Sequence, residues 1–283
     1  MLNPRHLASL IAIADHGGFA AAGAVLGRSH SAISLHIKAL EEEVGVTLVD
    51  RAARPAVLTP EGEQMVEQAR RLQRVLEDIV ALRPGQHLSG RLSVGVVPTA
   101  MAHLVPPALS RLRSTHPDVQ LEIRTGLSGE LAAAVAAGDV DAALVTAPDL
   151  APDGLEMRLV AEEPLIVLAP AGTDGDDATL LSAHPFIWFS RKTWAGQQIE
   201  RRLLDRGIRV QPVMEIDSLE AIEALVRHGL GVAVVPDRGL AGDLVRVPFG
   251  DPQATRRLVL LTRPRPPRAR LIDALMEALT PVR

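Results

Sequence analysis

The chain has 283 residues, 47% hydrophobic and 23% charged, which fits a globular protein of two or three domains and excludes a disordered one. A net charge of −4 gives no overall attraction for nucleic acid, so any such site must be local; the absence of cysteine excludes disulfides, thiolate metal sites and thiol-based redox sensing. The opening "MLNPRHLASLIAIADHGGF" holds an apolar run too short for a membrane span and no small-residue cleavage site, so a cytoplasmic protein with no membrane partner is expected.

Asn3 and Pro4 signal a helix start, with Leu7, Leu10, Ile11 and Ala14 as one apolar stripe and Gly17 and Gly18 as the stop. A second helix runs from about Phe19 to Leu26, with Phe19, Ala22 and Leu26 facing a core and Gly23 small enough for a close crossing. Gly27 and Arg28 make a turn, and Ser29 caps a third helix that opens "SHSAISLHIKAL". Ala32, Ile33, Ile37 and Leu40 share its buried face; His30, Ser31, Ser34, Leu35 and Lys38 share the other. Solvation alone would account for that second face, but the turn before it and the next two segments favour DNA. Residues 48–50 and 56–58 read as a β-hairpin whose tip, "RAARP", is basic.

Together these parts make a winged helix-turn-helix over residues 1–59, with the third helix in the major groove and the hairpin over the backbone or minor groove. Short Ser and His side chains let the helix sit deep, and Leu35 suits a thymine methyl. Arg5, Arg28, Lys38, Arg51 and Arg54 are balanced by Asp15, Glu41, Glu42, Glu43 and Asp50, but the acidic run lies at the far end of the third helix. The candidate DNA contacts are Arg28, Ser29, His30, Ser31, Ser34, Leu35, Lys38, Arg51 and Arg54.

Thr59 and Pro60 start a long helix, residues 60–83, with Glu61 and Glu63 favoured by the dipole of its first turn. Met65, Ala69, Leu72, Leu76 and Ile79 are spaced four, three, four and three apart, a heptad seam. Such a seam serves pairing with a second copy or attachment to its own domain; a dimer would present two recognition helices to a two-fold symmetric site.

The stretch "GGFAAAGAVLGRSHSAISLHIKALEEEVGVTLVDRAARPAVLTPEGE" resembles the N-terminal domain of the LysR-type transcriptional regulators. Phe19, Leu26, Ser29, Ala32, Ser34, Ile37, Leu40, Glu41, Gly45, Leu48, Arg51, Thr59, Pro60 and Gly62 stand where that family's pattern has them. Departures are Ala20 and Ala21, where Thr and Arg are frequent, His30 and Ser31 in place of Gln and Pro, and Leu35 in place of Arg. Fewer side-chain phosphate contacts predict modest affinity per half-site, a shallow salt dependence and reliance on oligomerisation.

After a hinge at 84–90 the chain alternates strand and helix, the pattern of a parallel α/β sheet. "RLSVGVV", "VQLEIRTG" and "DAALVTA" are strands with helices between them; "EEPLIVLAP", "PFIWFS", "VQPVMEI" and "GVAVVP" form a second series with helices at 194–206 and 218–228. "RRLVLLTR" is a late strand and residues 271–279 the last helix; the basic, proline-rich run between them reads as an exposed connection or a second nucleic-acid contact.

The resemblance implies a two-lobed effector-binding domain over 91–283, similar to periplasmic solute-binding proteins, crossed near residues 162–168 and 254–260. Lobe 1 is then about 91–163 and 260–283, and lobe 2 about 164–259. The expected class is α/β overall, with the winged domain and linker helix at the N-terminus.

Ligands of open α/β sheets bind beyond the carboxyl ends of strands. That rule selects Pro98, Thr99, Ala100, Ser128, Gly129 and Thr146 on one side, and residues 190–193, Asp217, Ser218 and Pro236 on the other. Each hydroxyl has an ordinary helix-capping role as its alternative. Phe186, Trp188, Phe189 and Trp194 cluster beside Arg191, Lys192 and Thr193. They fill a core, or else form a pocket in which a ring stacks on Trp194 and a carboxylate meets Arg191 or Lys192.

No GxSxG, HExxH or GxxxxGK motif is present, and the nine histidines show no metal-ligand spacing, so no enzyme, metal or cofactor is expected. The expected partners are double-stranded promoter DNA, a small-molecule effector, most simply a carboxylate, and further copies of the chain as a dimer or, by the resemblance, a tetramer. The rival function is a cytoplasmic small-molecule binding module whose N-terminal domain serves assembly only.

Overall fold

The computed structural model describes residues 2–53, 55–81, 88–239 and 243–280. The last two positions of the expected linker helix, 82–83, and most of the expected hinge, 84–87, lie outside the described residues. The chain forms two compact units, residues 1–84 and 85–283.

In the first unit, α1 (Pro4–His16) is capped by Asn3, whose side chain accepts the Arg5 N–H at 2.9 Å, and is closed by a left-handed Gly17. Helices α2 (Phe19–Leu26) and α3 (His30–Val44) follow, then an antiparallel hairpin of β1 (Val49–Asp50) and β2 (Val57–Leu58), and the long α4 (Pro60–Ala81). Leu10, Ile13, Ile33, Ile37, Leu40 and Leu48 form the core. The buried arc of α1 differs from the expected stripe: Ala14 is exposed and Ile11 half-buried, while Ser9, Ala12 and Ile13 are buried. Ser9 can be buried because its Oγ donates to the Arg5 carbonyl at 3.1 Å and lies 2.7 Å from His36 Nδ1, which ties α1 to α3. The close approach at Gly23 is not a helix crossing. A Cβ there would stand 2.6 Å from the Arg28 carbonyl oxygen, so the glycine admits the turn between α2 and α3.

In the second unit the strands are β3 (Gly90–Val96), β4 (Val119–Thr125), β5 (Ala142–Thr146), β6 (Glu156–Ala169), β7 (Pro185–Phe189), β8 (Gln211–Ile216), β9 (Ala233–Pro236), β10 (Val245–Pro248) and β11 (Thr255–Thr262). The helices are α5 (Pro98–Met101), α6 (Val105–Thr115), α7 (Ser128–Ala137), α8 (Asp177–Ala183), α9 (Trp194–Asp205), α10 (Leu219–Arg227) and α11 (Ala269–Leu279). Neither α8 nor β10 was expected from the sequence.

Two apolar cores divide this unit into two lobes. In lobe 1, β3 pairs in parallel with β4 and β5, and β11 inserts antiparallel between β5 and the first part of β6, so the sheet is mixed rather than parallel. In lobe 2, the last residues of β6 pair antiparallel with β9 and β10, while β7 and β8 run parallel. Strand β6 therefore crosses between lobes at Pro164 and Leu165. The return crossing lies at Ala254 and Thr255, because Thr255 already pairs with Pro164 and Leu258 lies in the lobe 1 core. Residues 255–259 thus belong to lobe 1, not to lobe 2 as the sequence boundary had it.

Candidate DNA-binding face and interlobe cleft

The outer face of α3 presents His30, Ser31, Leu35 and Lys38 to solvent, with Leu35 65% exposed. Ser29 Oγ accepts the Ala32 N–H at 3.2 Å and so serves as the cap that fixes where this helix begins. The His30 ring lies against Phe19, 5.5 Å between centroids. Arg28 is exposed in the turn before α3, and Arg54 lies outside the described residues. Lys38 pairs with Glu42 at 3.7 Å on the open surface, a contact worth little.

Arg51 is less free than its position suggested. Its Nη2 donates to Glu41 Oε2 at 3.0 Å, its Nη1 to the half-buried Ser34 Oγ at 3.4 Å, and its guanidinium lies 5.6 Å from the Phe19 centroid. Glu41 also accepts the backbone N–H groups of Leu48 and Val49 at 2.9 and 3.2 Å. The acidic run at the end of α3 therefore contains the anchor of the hairpin, a role that charge counting missed.

On α4 the expected seam divides. Ala69 is 3% exposed and Met65 half-buried, both used by the core of their own unit; Ala69 is accordingly removed from the pairing surface. Leu72, Leu76 and Ile79 are exposed and are joined by Val75, which the heptad spacing omitted. Leu72 and Leu76 line a groove with Pro4, Ala8 and Ile11 of α1.

In the second unit, α9 of lobe 2 meets lobe 1. Trp194 lies against the lobe 1 core, and its Nε1 stands 3.8 Å from where a Cβ on Gly129 would sit. Gln198 Nε2 donates to the Ala147 carbonyl at 2.6 Å, and Arg201 pairs with Asp149. Thr99, at the start of α5, accepts from Arg256 Nη1 at 2.9 Å. Ser128 and Thr146 are buried at the head of α7 and the end of β5, and neither side chain has a hydrogen-bond partner among the described residues.

Other expected effector residues are committed elsewhere. Ala100 is buried in the lobe 1 core, and Pro98 occupies the exposed first turn of α5. Thr193 Oγ1 donates to the Ser190 carbonyl and accepts the Gly196 N–H; Ser218 Oγ accepts the Ala221 N–H. Both are helix caps. Pro236 is buried at the end of β9, opposite Leu165. Arg191 is not an open carboxylate receptor: Glu215 and Glu200 hold it at 3.2 and 3.5 Å, and it lies over the Trp188 ring. The Arg191 backbone N–H is the main reason the Glu215 carboxyl stays below its ordinary pKa, its side chain adding to this. Phe186, Trp188 and Phe189 fill the lobe 2 core, the first two edge to face at 4.9 Å, which leaves Trp194 alone at the cleft.

A three-helix unit with a wing, a long helix, and two α/β lobes crossed by two segments together define a DNA-binding regulator with an effector domain. Residues 4–63 match the bacterial regulatory helix-turn-helix protein model of the lysR family, and residues 85–282 match the LysR substrate binding domain. The chain belongs to the LysR family of transcriptional regulators.

It is 30% identical to the HTH-type transcriptional regulator YnfL of Escherichia coli K12, over 82% of this chain and 81% of the relative. It is 26% identical to the transcriptional dual regulator OxyR of the same strain, over 98% and 95%. Among solved structures, a cysteine mutant of Corynebacterium glutamicum OxyR superposes with a TM-score of 0.68 at 26% identity, covering 99% of this chain and 91% of that one. A full-length OxyR from Pseudomonas aeruginosa, with one cysteine changed to aspartate, gives 0.71 at 25%, over 99% and 95%. Unlike the proteins those cysteine variants represent, this chain has no cysteine, so no thiol chemistry is open to it. Among the described residues, no single helix is long and apolar enough to cross a membrane.

Proposed function

We propose that this regulator binds two-fold symmetric promoter sites as a dimer or tetramer, and that a small anion bound between its lobes changes the oligomer's conformation on DNA. Residues 28–38 supply the DNA face, with Arg28 and Lys38 as its principal described cations. The stripe of Leu72, Val75, Leu76 and Ile79 pairs with a second copy, since four exposed apolar side chains at helical spacing gain by burial.

The observation that carries the effector mechanism is the set of contacts made by α9 across the cleft. Trp194, Gln198 and Arg201 bridge two lobes that crossing strands also join, so a change in lobe angle must remake those contacts. A ligand shifts that equilibrium only through different affinity for the two arrangements.

The test is selection of fragments from the source organism's genomic DNA by the purified protein at two salt concentrations. Enrichment of a two-fold motif is expected, with a salt dependence shallower than that of about ten phosphate contacts. Operator affinity is then measured with and without small carboxylates. Equal affinity under every condition removes the effector mechanism, and no enrichment at either salt removes the specific operator.

A further inference from the structure

Two buried arginines lie near the junction of the lobes, one in each lobe. Arg238 follows β9 in lobe 2, next to Asp237, whose N–H donates to the Pro164 carbonyl at the first crossing. The Arg238 side chain is 3% exposed, and its Nη2 reaches Glu223 at 3.3 Å and Glu220 at 3.5 Å on α10. Its Nε and Nη1 are buried and have no acceptor among the described residues. From lobe 1, Arg256 is 1% exposed; its Nε donates to Glu163 Oε2 at 2.8 Å and its Nη1 to Thr99 Oγ1 at 2.9 Å. Burial lowers the Arg256 pKa and the Arg238 charge lowers it further, against the support of Glu163.

Buried donors without acceptors are costly, and two buried guanidinium groups whose charges act on each other add repulsion. A neutral apolar ligand would answer neither problem, and a cation would worsen both. A group with two acceptor oxygens and a negative charge answers both at once. The position is telling, because Thr99, already at the cleft by strand topology, is bonded to one of the two arginines.

We propose that Arg238 receives the carboxylate of a small organic acid, with Arg256 and Thr99 on the opposite side of the same anion. This inference rests on the effector cleft proposed above and names the residue that anchors the carboxylate there. It also replaces Arg191, whose charge is met by Glu215 and Glu200, as the anchor. Because Arg238 belongs to lobe 2 and Arg256 to lobe 1, the bound anion ties the lobes together at their crossing.

The test uses the full chain and follows thermal unfolding by tryptophan fluorescence, since both tryptophans, Trp188 and Trp194, lie in the second unit. Acetate and benzoate are titrated in one arm, sulfate and phosphate in another, all at constant ionic strength against chloride. A saturable rise in Tm with a carboxylate is expected. Arg238→Gln should raise its half-saturation by about tenfold or more. Glu223→Gln should lower it, because a competing carboxylate is removed from the same guanidinium. The double variant Arg238→Gln/Glu223→Gln leaves only the solvent-exposed Glu220 without its partner, no buried charge of this pair, and guards against a folding defect.

Saturation by sulfate or phosphate alone overturns the carboxylate class. Equal responses to all anions and chloride, or an unaltered carboxylate response in the double variant, overturn the site. Operator binding is measured in parallel on a fragment recovered by genomic selection. Operator binding with no anion effect on Tm sinks this site alone, whereas a carboxylate-dependent Tm with no change in operator affinity sinks the effector mechanism and leaves the site standing.

Discussion

The winged domain and the cleft treat arginine in opposite ways. Arg51, with its side chain 43% exposed, has a carboxylate, a hydroxyl and an aromatic ring around it, while Arg238, its side chain 3% exposed, has two nitrogens with no acceptor among the described residues. Water explains the difference in meaning. At the surface, a cation costs little whether or not it is paired, so its partners say little about function. In the interior each unmet donor carries a penalty that a folded protein tolerates only with a reason, and a ligand is such a reason.

The strongest way to break this contrast is Glu163→Gln, which leaves Arg256 as a buried cation without its partner. A loss of about 3–5 kcal/mol is expected, read as a lowered denaturation midpoint in tryptophan fluorescence. A loss as small as that of a surface pair would place Arg256 in effective contact with water.

Glu41→Ala probes the surface side. It removes the acceptor of the Leu48 and Val49 N–H groups along with the partner of Arg51. A cost of about 1–3 kcal/mol is expected, with faster amide exchange at Leu48 and Val49. If only the Arg51 ion pair mattered, exchange at those amides would not change.

The smallest effect concerns His36. Burial first, then the charges of His6, Arg28 and Arg5, lower its pKa. Its ring stacks on His6 at 4.6 Å and its Nδ1 meets Ser9. A depressed histidine pKa means that the unfolded chain binds the proton more readily, so this contribution is present above the ordinary value of about 6.5 and lost as pH falls below it. Amide exchange of the first unit between about pH 7.5 and 5.5 should show loosening on acidification, reduced in His36→Gln. The same loosening in that variant would assign the effect to other groups.

Much of the first unit was legible in the chain because its signals are local. Asn3, Gly17, Ser29 and Gly45 set helix ends through caps and left-handed backbone, and the bounds of α2 follow from Gly18 before it and Gly27 after it. The candidate cleft was legible only in part. Strand topology led to Thr99, Ser128 and Thr146, but the same rule could not tell a cap from a ligand group at Thr193 and Ser218, since both roles use a hydroxyl at a helix start.

Arg256 did leave a trace: along β11 it shares the phase of Leu258 and Leu260, the inward side of the strand. Arg238 left none, for it lies after a strand where no periodicity applies. On α4, heptad spacing gave Ala69 and Leu72 equal standing; the fold of the N-terminal unit buries the first and exposes the second.

By itself, then, the sequence determined most helix ends of the first unit, the wing and the alternation of strand and helix, though not α8 or β10, because caps, turns and periodicity act over a few residues. Tertiary structure decided which charges lost their water, setting Arg256 against Thr99 and Glu163 and Arg238 against Glu223 from distant segments, because desolvation depends on what the rest of the chain places around a group.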